Sequence, residues 1–327
     1  MAVSHSDVWQ RARIVESTAL TTEIRRIVLE PALPVKVAPG AHIDVRVPIA
    51  GVLDRRSYSV VDAAADGTLM AISVMLSPTS RGGAAVMHAL REHDELEITQ
   101  PLLDFPLRPG AERYVLLAGG VGVTAIAGMA AALRISGADY RLVYSGRSRP
   151  LMAYLDELDR LHGDRLEAHV GDEGSSLDVR ELVAAIEPGT ELYMCGPIRL
   201  MDAVRRAWVE RGLALPDLRY ETFGNSGWFE PQEFVVRIPA TGLEVVVGRS
   251  ESMLEALEAA GADMMYDCRK GECGLCEVRI LAHEGVVDHR DVFYSEREKD
   301  ATAKMCCCVS RMARPEGSGA VVTILTS

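Results

Sequence analysis

At 327 residues the chain has room for two or three domains. Hydrophobic residues at 48% and charged residues at 25% exclude disorder and collagen-like repeats, and a net charge of −12 argues against nucleic acid or an anionic membrane as partner. Seven cysteines, six of them in the last 60 residues, are an odd number that argues against a closed disulfide framework. The opening MAVSHSDVWQ lacks an apolar signal core, so a reducing cytoplasm is the expected location.

Residues 10–108 carry short, β-branched, alternating runs (RARIVES, IRRIVLE, HIDVRVP, RRSYSVVD, TLMAISVML, LEITQP) separated by Pro, Gly and Asp turns, with a short helix at 83–91. Six such runs predict an antiparallel β-barrel or sandwich. From Arg113 the pattern changes to apolar strands (YVLLAGG, YRLVYSG, LEAHVGD, ELYMCGP) alternating with amphipathic stretches, which predicts a doubly wound α/β sheet. Tyr114–Leu133 holds 20 uncharged residues, enough to cross a bilayer, but Gly119, Gly120 and Gly122 interrupt it. It reads as a buried strand, a Gly-rich turn and a buried helix, with no membrane partner. After a turn-rich linker, EFVVRIP and LEVVVGR predict a hairpin and SMLEALEAAG a helix. The expected boundaries are 1–109, 110–225, a linker at 226–236, and 237–327.

Cys268, Cys273 and Cys276 have the spacing C-x4-C-x2-C, which is that of plant-type [2Fe–2S] loops whose fourth thiolate comes from a distant Cys. Gly271 and Gly274 suit such a loop, because wrapping a cluster needs positive φ and close backbone approach. The fourth ligand must come from the triplet Cys306, Cys307 and Cys308. Zinc also takes four thiolates, but its sites usually show CxxC twice, and no second CxxC occurs.

Gly119–Gly120–Val121–Gly122–Val123–Thr124 follows a strand and opens a helix, a place where backbone N–H groups can hold a pyrophosphate or where helix and sheet simply pack closely. The last strand of that region ends in Cys195–Gly196–Pro197, at the end of a parallel sheet where ligands sit. In the first region, strand alternation puts Arg56 and Tyr58 on one face and Ser57 and Ser59 on the other. Ser80–Arg81–Gly82–Gly83–Ala84 then opens the short helix, where a guanidinium beside helix N–H groups makes a pocket for one phosphate.

Together RSYS, SRGGA, LAGGVGVT, YMCGP, YETFG and DCRKGECGLC…CVSR resemble the phthalate dioxygenase reductase family of the ferredoxin–NADP⁺ reductase superfamily, the vanillate demethylase reductases in particular. The resemblance spans the whole chain and implies a flavin-binding β-barrel, a nicotinamide-binding α/β domain and an α+β (β-grasp) ferredoxin domain. It implies that Arg56 meets the flavin phosphate with Arg81, Gly82 and Gly83, that Ser57 belongs to the same flavin-binding strand, that Tyr58 packs on the flavin, and that Ser59 lies near N5. Ser73, Val74 and Met75 would border the ring edge, and Phe223 would cover the other face until nicotinamide displaces it. Gly119, Gly120, Gly122 and Thr124 would line the dinucleotide, with Cys195 and Gly196 near the nicotinamide. The ending Cys308–Val309–Ser310–Arg311 aligns with the family's Cys-Val-Ser-Arg and favours Cys308 as the fourth ligand, whereas a gap-free alignment from Cys276 selects Cys306. Two positions depart from the family pattern: Ala125 stands where Pro usually follows Thr124, and Ala84 where Ser often follows the Arg-Gly-Gly turn.

The family normally carries FMN, and no extra loop for an adenylate is visible, so FMN is expected over FAD. Arg147 and Arg149 after the second strand could hold a 2′-phosphate, yet one such Arg is common among NADH users, and NADH is expected over NADPH. The implied function is the reductase component of a multicomponent oxygenase or demethylase of aromatic catabolism. Electrons would pass from NAD(P)H through flavin and [2Fe–2S] to a Rieske-type oxygenase, with a haem monooxygenase as the alternative acceptor. A monomer is expected.

Overall fold

The computed structural model of the protein describes residues 7–49, 51–76, 82–223, 227–314 and 319–326. Two compact units emerge: Met1–Gly196 with Ala207–Glu221, and Pro197–Arg206 with Thr222–Ser327.

In the first unit, β1 (Trp9–Ala19), β2 (Ile24–Pro31), β3 (His42–Ile49), β4 (Val52–Ala63), β5 (Met70–Met75) and β6 (Glu95–Thr99) close an antiparallel barrel in the order β1-β2-β5-β4-β3-β6. Alternation drives the closure, for Ile14, Ile27, Leu29, Ile43, Val45, Ile72 and Ile98 all point inward and are fully buried. Each such side chain contributes about 1.5–3 kcal/mol, and closure leaves no unpaired strand edge. Helix α1 (Gly83–Ala89) adds Met87 to that core.

The same unit continues with β7 (Arg113–Gly119), α2 (Val123–Ser136), β8 (Tyr140–Gly146), α3 (Leu155–His162), β9 (Leu166–Val170), α4 (Val179–Ala184), β10 (Thr190–Cys195) and β11 (Leu218–Glu221), while the intervening helix α5 (Ile198–Glu210) is divided between the two units. The strands form a parallel sheet in the order β11-β10-β7-β8-β9. The uncharged run divides as expected into β7 and α2, and no helix among the described residues is long and apolar enough to cross a membrane. Strand β11 escapes sequence patterning because it has only four residues, of which Arg219 and Glu221 are charged. The chain passes from β7 to β8 on one side and reaches β10 on the other, so the strand order reverses between β7 and β10, where ligand crevices form.

The second unit carries a mixed sheet of the β-grasp type. Its elements are β12 (Phe234–Ile238), β13 (Leu243–Val247), α6 (Met253–Ala259), β14 (Glu277–Glu284), β15 (Val286–Asp288), α7 (Glu296–Asp300), β16 (Lys304–Cys306), β17 (Arg311–Ala313) and β18 (Ala320–Thr326). The sheet order is β13-β12-β18-β14-β16, with β15 and β17 paired separately. The expected hairpin and helix are both present. Helix α6 starts at a reciprocal cap between Ser252 and Glu255 and buries Met253, Leu254, Ala256 and Leu257 against the sheet.

Candidate redox site

Strand β4 carries Arg56, Ser57, Tyr58 and Ser59 opposite Val45, Asp44, Ile43 and His42 of β3. Tyr58 packs against the barrel core, and burial pushes its phenol up to about 12 despite the opposing charge of Arg56. Ser57 donates to the buried Asp44. Arg56 pairs with Asp54 at 2.6 Å and lies against the start of α1, where a Cβ on Gly83 would come within 3.2 Å of its Nε. Gly82 supplies the left-handed turn there, with φ 96°. Guanidinium and glycine turn are thus together, as a phosphate cradle requires, while Arg81 lies outside the described residues.

Ser73 on β5 is buried and shares a 2.5 Å hydrogen bond with the hydroxyl of Tyr154. Val74 buries its side chain in the barrel core and leaves its carbonyl to His88 Nε2 at 2.8 Å, so only its backbone can meet a cofactor. Met75 is half-buried at the end of the strand.

In the sheet, β7 delivers Gly119 to a tight turn. Gly120 has φ 53° with open space beside it, whereas a Cβ on Gly122 would overlap the backbone of Cys195 and Gly196. The Gly-rich turn and the Cys-Gly-Pro turn therefore touch at the point where strand order reverses. Thr124 uses its hydroxyl inside the turn, donating to Val121 at 3.0 Å. Cys195 is buried, with Ala118 as its register partner on β7 and Glu221 on β11. The carboxylate of Glu221 in turn accepts from Ser59 at 3.4 Å. A barrel hydroxyl, a buried carboxylate and a buried thiol thus converge at the C-terminal edge of the sheet.

Arg147 is exposed beyond β8, and Arg149 is gripped by Glu173 through two hydrogen bonds of 2.9 and 2.8 Å. Phe223 is half-buried and belongs to the second unit, where its neighbour Thr222 donates to Lys270 O at 2.6 Å and to Glu272 at 3.1 Å.

All seven cysteines are free thiols. Cys268 Sγ accepts the amides of Lys270, Glu272 and Cys273, each at 3.4 Å, and the Cys273 thiol is within reach of it. Cys276 is within hydrogen-bonding reach of Cys306, Cys307 and Cys308, all buried. The six thiols thus fall into a 268/273 pair and a group around 276, and Cys308 is the triplet member that also feels the charge of Cys268. A buried Asp291 bears on Cys306, and Glu258 bears on Cys307. No three His, Cys, Asp or Glu side chains among the described residues enclose a single ion. A two-iron cluster needs no such enclosure, since each iron takes two thiolates. Gly271 and Gly274 have φ 77° and 74°, and a Cβ on either would run into Val309 or Phe293, which fits the loop the spacing predicts.

Glu221 and Tyr154 were given no role from sequence. Glu221 could have been singled out as a carboxylate within an otherwise matched motif. Tyr154 gives no sequence signal, because its left-handed φ of 65° and its reach to Ser73 arise only in three dimensions.

The pattern of the 2Fe-2S iron-sulfur cluster binding domain matches residues 236–313. The phenoxybenzoate dioxygenase subunit beta of Ectopseudomonas oleovorans is 37% identical over 278 residues, covering 84% of this chain and 85% of its own. The chain belongs to the phthalate dioxygenase reductase family. It is an NAD(P)H-dependent flavin and iron–sulfur oxidoreductase, the reductase type of multicomponent oxygenase systems. The crystal structure of phthalate dioxygenase reductase superposes with a TM-score of 0.71 at 28% identity, covering 96% of this chain and 98% of that one. An intact type IV self-sufficient cytochrome P-450 monooxygenase is 34% identical with a TM-score of 0.65, covering 96% of this chain, which spans 41% of its length.

Proposed function

We propose that this reductase takes hydride from NADH onto FMN and delivers single electrons through [2Fe–2S] to a Rieske-type oxygenase acting in aromatic catabolism, working as a monomer in the cytoplasm. The observation that carries the reading is the convergence of Ser59, Glu221 and Cys195 beside a glycine turn at the switch point of a parallel sheet. When bound, the flavin would split the electron pair of one hydride into single electrons for the cluster to relay.

In this reading Arg56 holds the flavin phosphate against the Gly82–Gly83 turn, and Ser57 steadies the strand through Asp44. Tyr58, Ser73, Val74 and Met75 bound the ring, with Tyr58 staying neutral throughout the working pH range. Ser59 turns its hydroxyl from Glu221 to donate to the flavin edge when flavin is bound. Gly119, Gly120 and Gly122 let the dinucleotide backbone approach closely, and Thr124 keeps the turn closed. Cys195 and Gly196 flank the nicotinamide, and Phe223 covers the ring face in its absence. Glu173 occupies Arg149 and leaves Arg147 as the exposed guanidinium, an arrangement that suits the 2′-hydroxyl of NADH better than a 2′-phosphate. Cys268 and Cys273 hold one iron, and Cys276 and Cys308 the other. Cys308 is favoured over Cys306 and Cys307 because it opens the Cys308–Val309–Ser310–Arg311 ending that matches the family pattern.

Two measurements test this. Released flavin should have the mass of FMN, and kcat/KM should favour NADH by at least about tenfold; an FAD mass or an NADPH preference would overturn those assignments. The second reading, a haem monooxygenase as acceptor, is favoured by the 34% identity to the self-sufficient enzyme. Reconstitution with a Rieske oxygenase and with a haem monooxygenase, each supplied with its own substrate, separates the two: turnover with the haem enzyme alone would replace the first reading.

A further inference from the structure

Tyr154 takes no part in the function described above, yet the backbone is bent to place it. It stands in the left-handed region, with φ 65° and ψ 2°, immediately before α3. That conformation is costly for a residue with a Cβ and persists only where its surroundings enforce it. Here they do. Met152, Ala153 and Leu155 around it are all buried. Ala153 O accepts from the hydroxyl of Tyr144 on β8 at 3.1 Å, and a Cβ on Gly146, at the end of that strand, would meet Met152 at 2.4 Å. Leu158 N donates to Tyr154 O at 2.8 Å, which fixes the first turn of α3. The segment is therefore clamped to the carboxyl end of β8, the strand beside the one that carries the Gly-rich turn.

From that clamp the phenol reaches the barrel half of the same unit. Its hydroxyl shares the 2.5 Å hydrogen bond with Ser73 Oγ on β5, and Ser73 is only 5% exposed. At the next position Val74 O is bonded to His88 Nε2 at 2.8 Å. Strand β5 is thus held twice, by α1 through His88 and by the α/β half through Tyr154. The two halves also pack where α2 lies on β4, since a Cβ on Gly128 would stand 3.4 Å from Val61 O. The Tyr154 bond adds a directional link at β5 to that packing.

We propose that Tyr154 is a positioning residue for hydride transfer. By fixing Ser73, it holds the strand that borders the flavin ring at a set distance from the half that presents the nicotinamide. The proposal rests on the flavin and nicotinamide placement given above. A phenol suits the part because it is rigid, long enough to leave its own half of the unit, and ends in one hydrogen-bonding group. Without the bond the two rings drift, and a misplacement of about 1 Å is enough to slow a transfer that needs close stacking.

The test uses the full flavin-loaded chain. Tyr154→Phe keeps the ring and removes only the hydroxyl, Ser73→Ala removes its partner, and the double variant closes the cycle. The readouts are flavin bound per chain, melting temperature, the charge-transfer absorbance of stacked nicotinamide and flavin, and the kinetics of anaerobic flavin reduction by NADH in stopped flow. Tyr154→Phe should bind as much flavin as wild type and keep the half-saturating NADH concentration within about twofold, while the limiting rate falls about tenfold and the charge-transfer band weakens. Ser73→Ala should slow reduction too, and the double variant should be no slower than the slower single one, because both substitutions remove the same bond. An unchanged limiting rate in Tyr154→Phe would overturn the proposal, as would a double variant whose losses multiply. A Tyr154→Phe chain that loses flavin or melts well below wild type would give the residue a merely structural part and overturn it as well. A wild-type chain that binds no flavin, or whose flavin NADH does not reduce, would instead sink the reading on which the proposal rests.

Discussion

Ser59 is a small hydroxyl in a buried place, and it donates to a carboxylate 162 residues away in sequence, Glu221. That pairing costs desolvation at both groups and persists because it presents a hydroxyl at the sheet edge. Ser59→Ala should therefore leave flavin bound and slow anaerobic flavin reduction by NADH about 100-fold, the size of effect seen when one donor to developing charge is removed. An unchanged reduction rate in stopped-flow would contradict the role. Glycines also act at this scale, and two of them separate by physics. Gly122→Ala drives a Cβ into the backbone of Cys195 and should cost about 3 kcal/mol in thermal unfolding while abolishing NADH binding. Gly120→Ala meets open space, and only its φ of 53° opposes it, so about 1 kcal/mol is expected. Glu173→Ala frees Arg149 and should raise kcat/KM for NADPH relative to NADH, read from steady-state kinetics with both nucleotides.

The elements explain how much could be read in advance. Barrel strands and sheet strands were legible because their periods are strong: alternating Ile and Val in the first, continuous apolar runs in the second. Strand β11 and the short strands after β13 were not, since three or four residues with charges among them carry no period. The cysteine loop was legible by spacing alone, whereas the grouping of three thiols around Cys276 was not, because adjacent residues in a turn can point anywhere. Tyrosines at the element level give a pH prediction. Burial raises both Tyr58 on β4 and Tyr193 on β10 to about 12, Tyr193 with help from its hydrogen bond to Glu191. A phenol raised on folding leaves stability intact below its ordinary value near 10 and withdraws it as pH climbs toward 12. The first unit should thus lose thermal stability between about pH 10 and 12, and Tyr58→Phe should lessen that loss; a melting temperature flat across the window would refute it.

At the scale of the whole molecule, charge and cofactor order matter most. Residues 233–327 contain 16 acidic and 11 basic side chains, so the ferredoxin end should steer toward a basic partner. Electron transfer to the oxygenase should slow as ionic strength rises, because screening shortens the reach of that field. A rate independent of salt would count against it. The central claim is a single path from nicotinamide through flavin to an iron–sulfur cluster, and a visible absorption spectrum taken before and after anaerobic addition of NADH tests it most directly. The account predicts flavin bands over red-brown cluster absorption, both bleaching with NADH. A colourless, zinc-containing protein would contradict the account, and flavin without cluster colour would break the path at its second half.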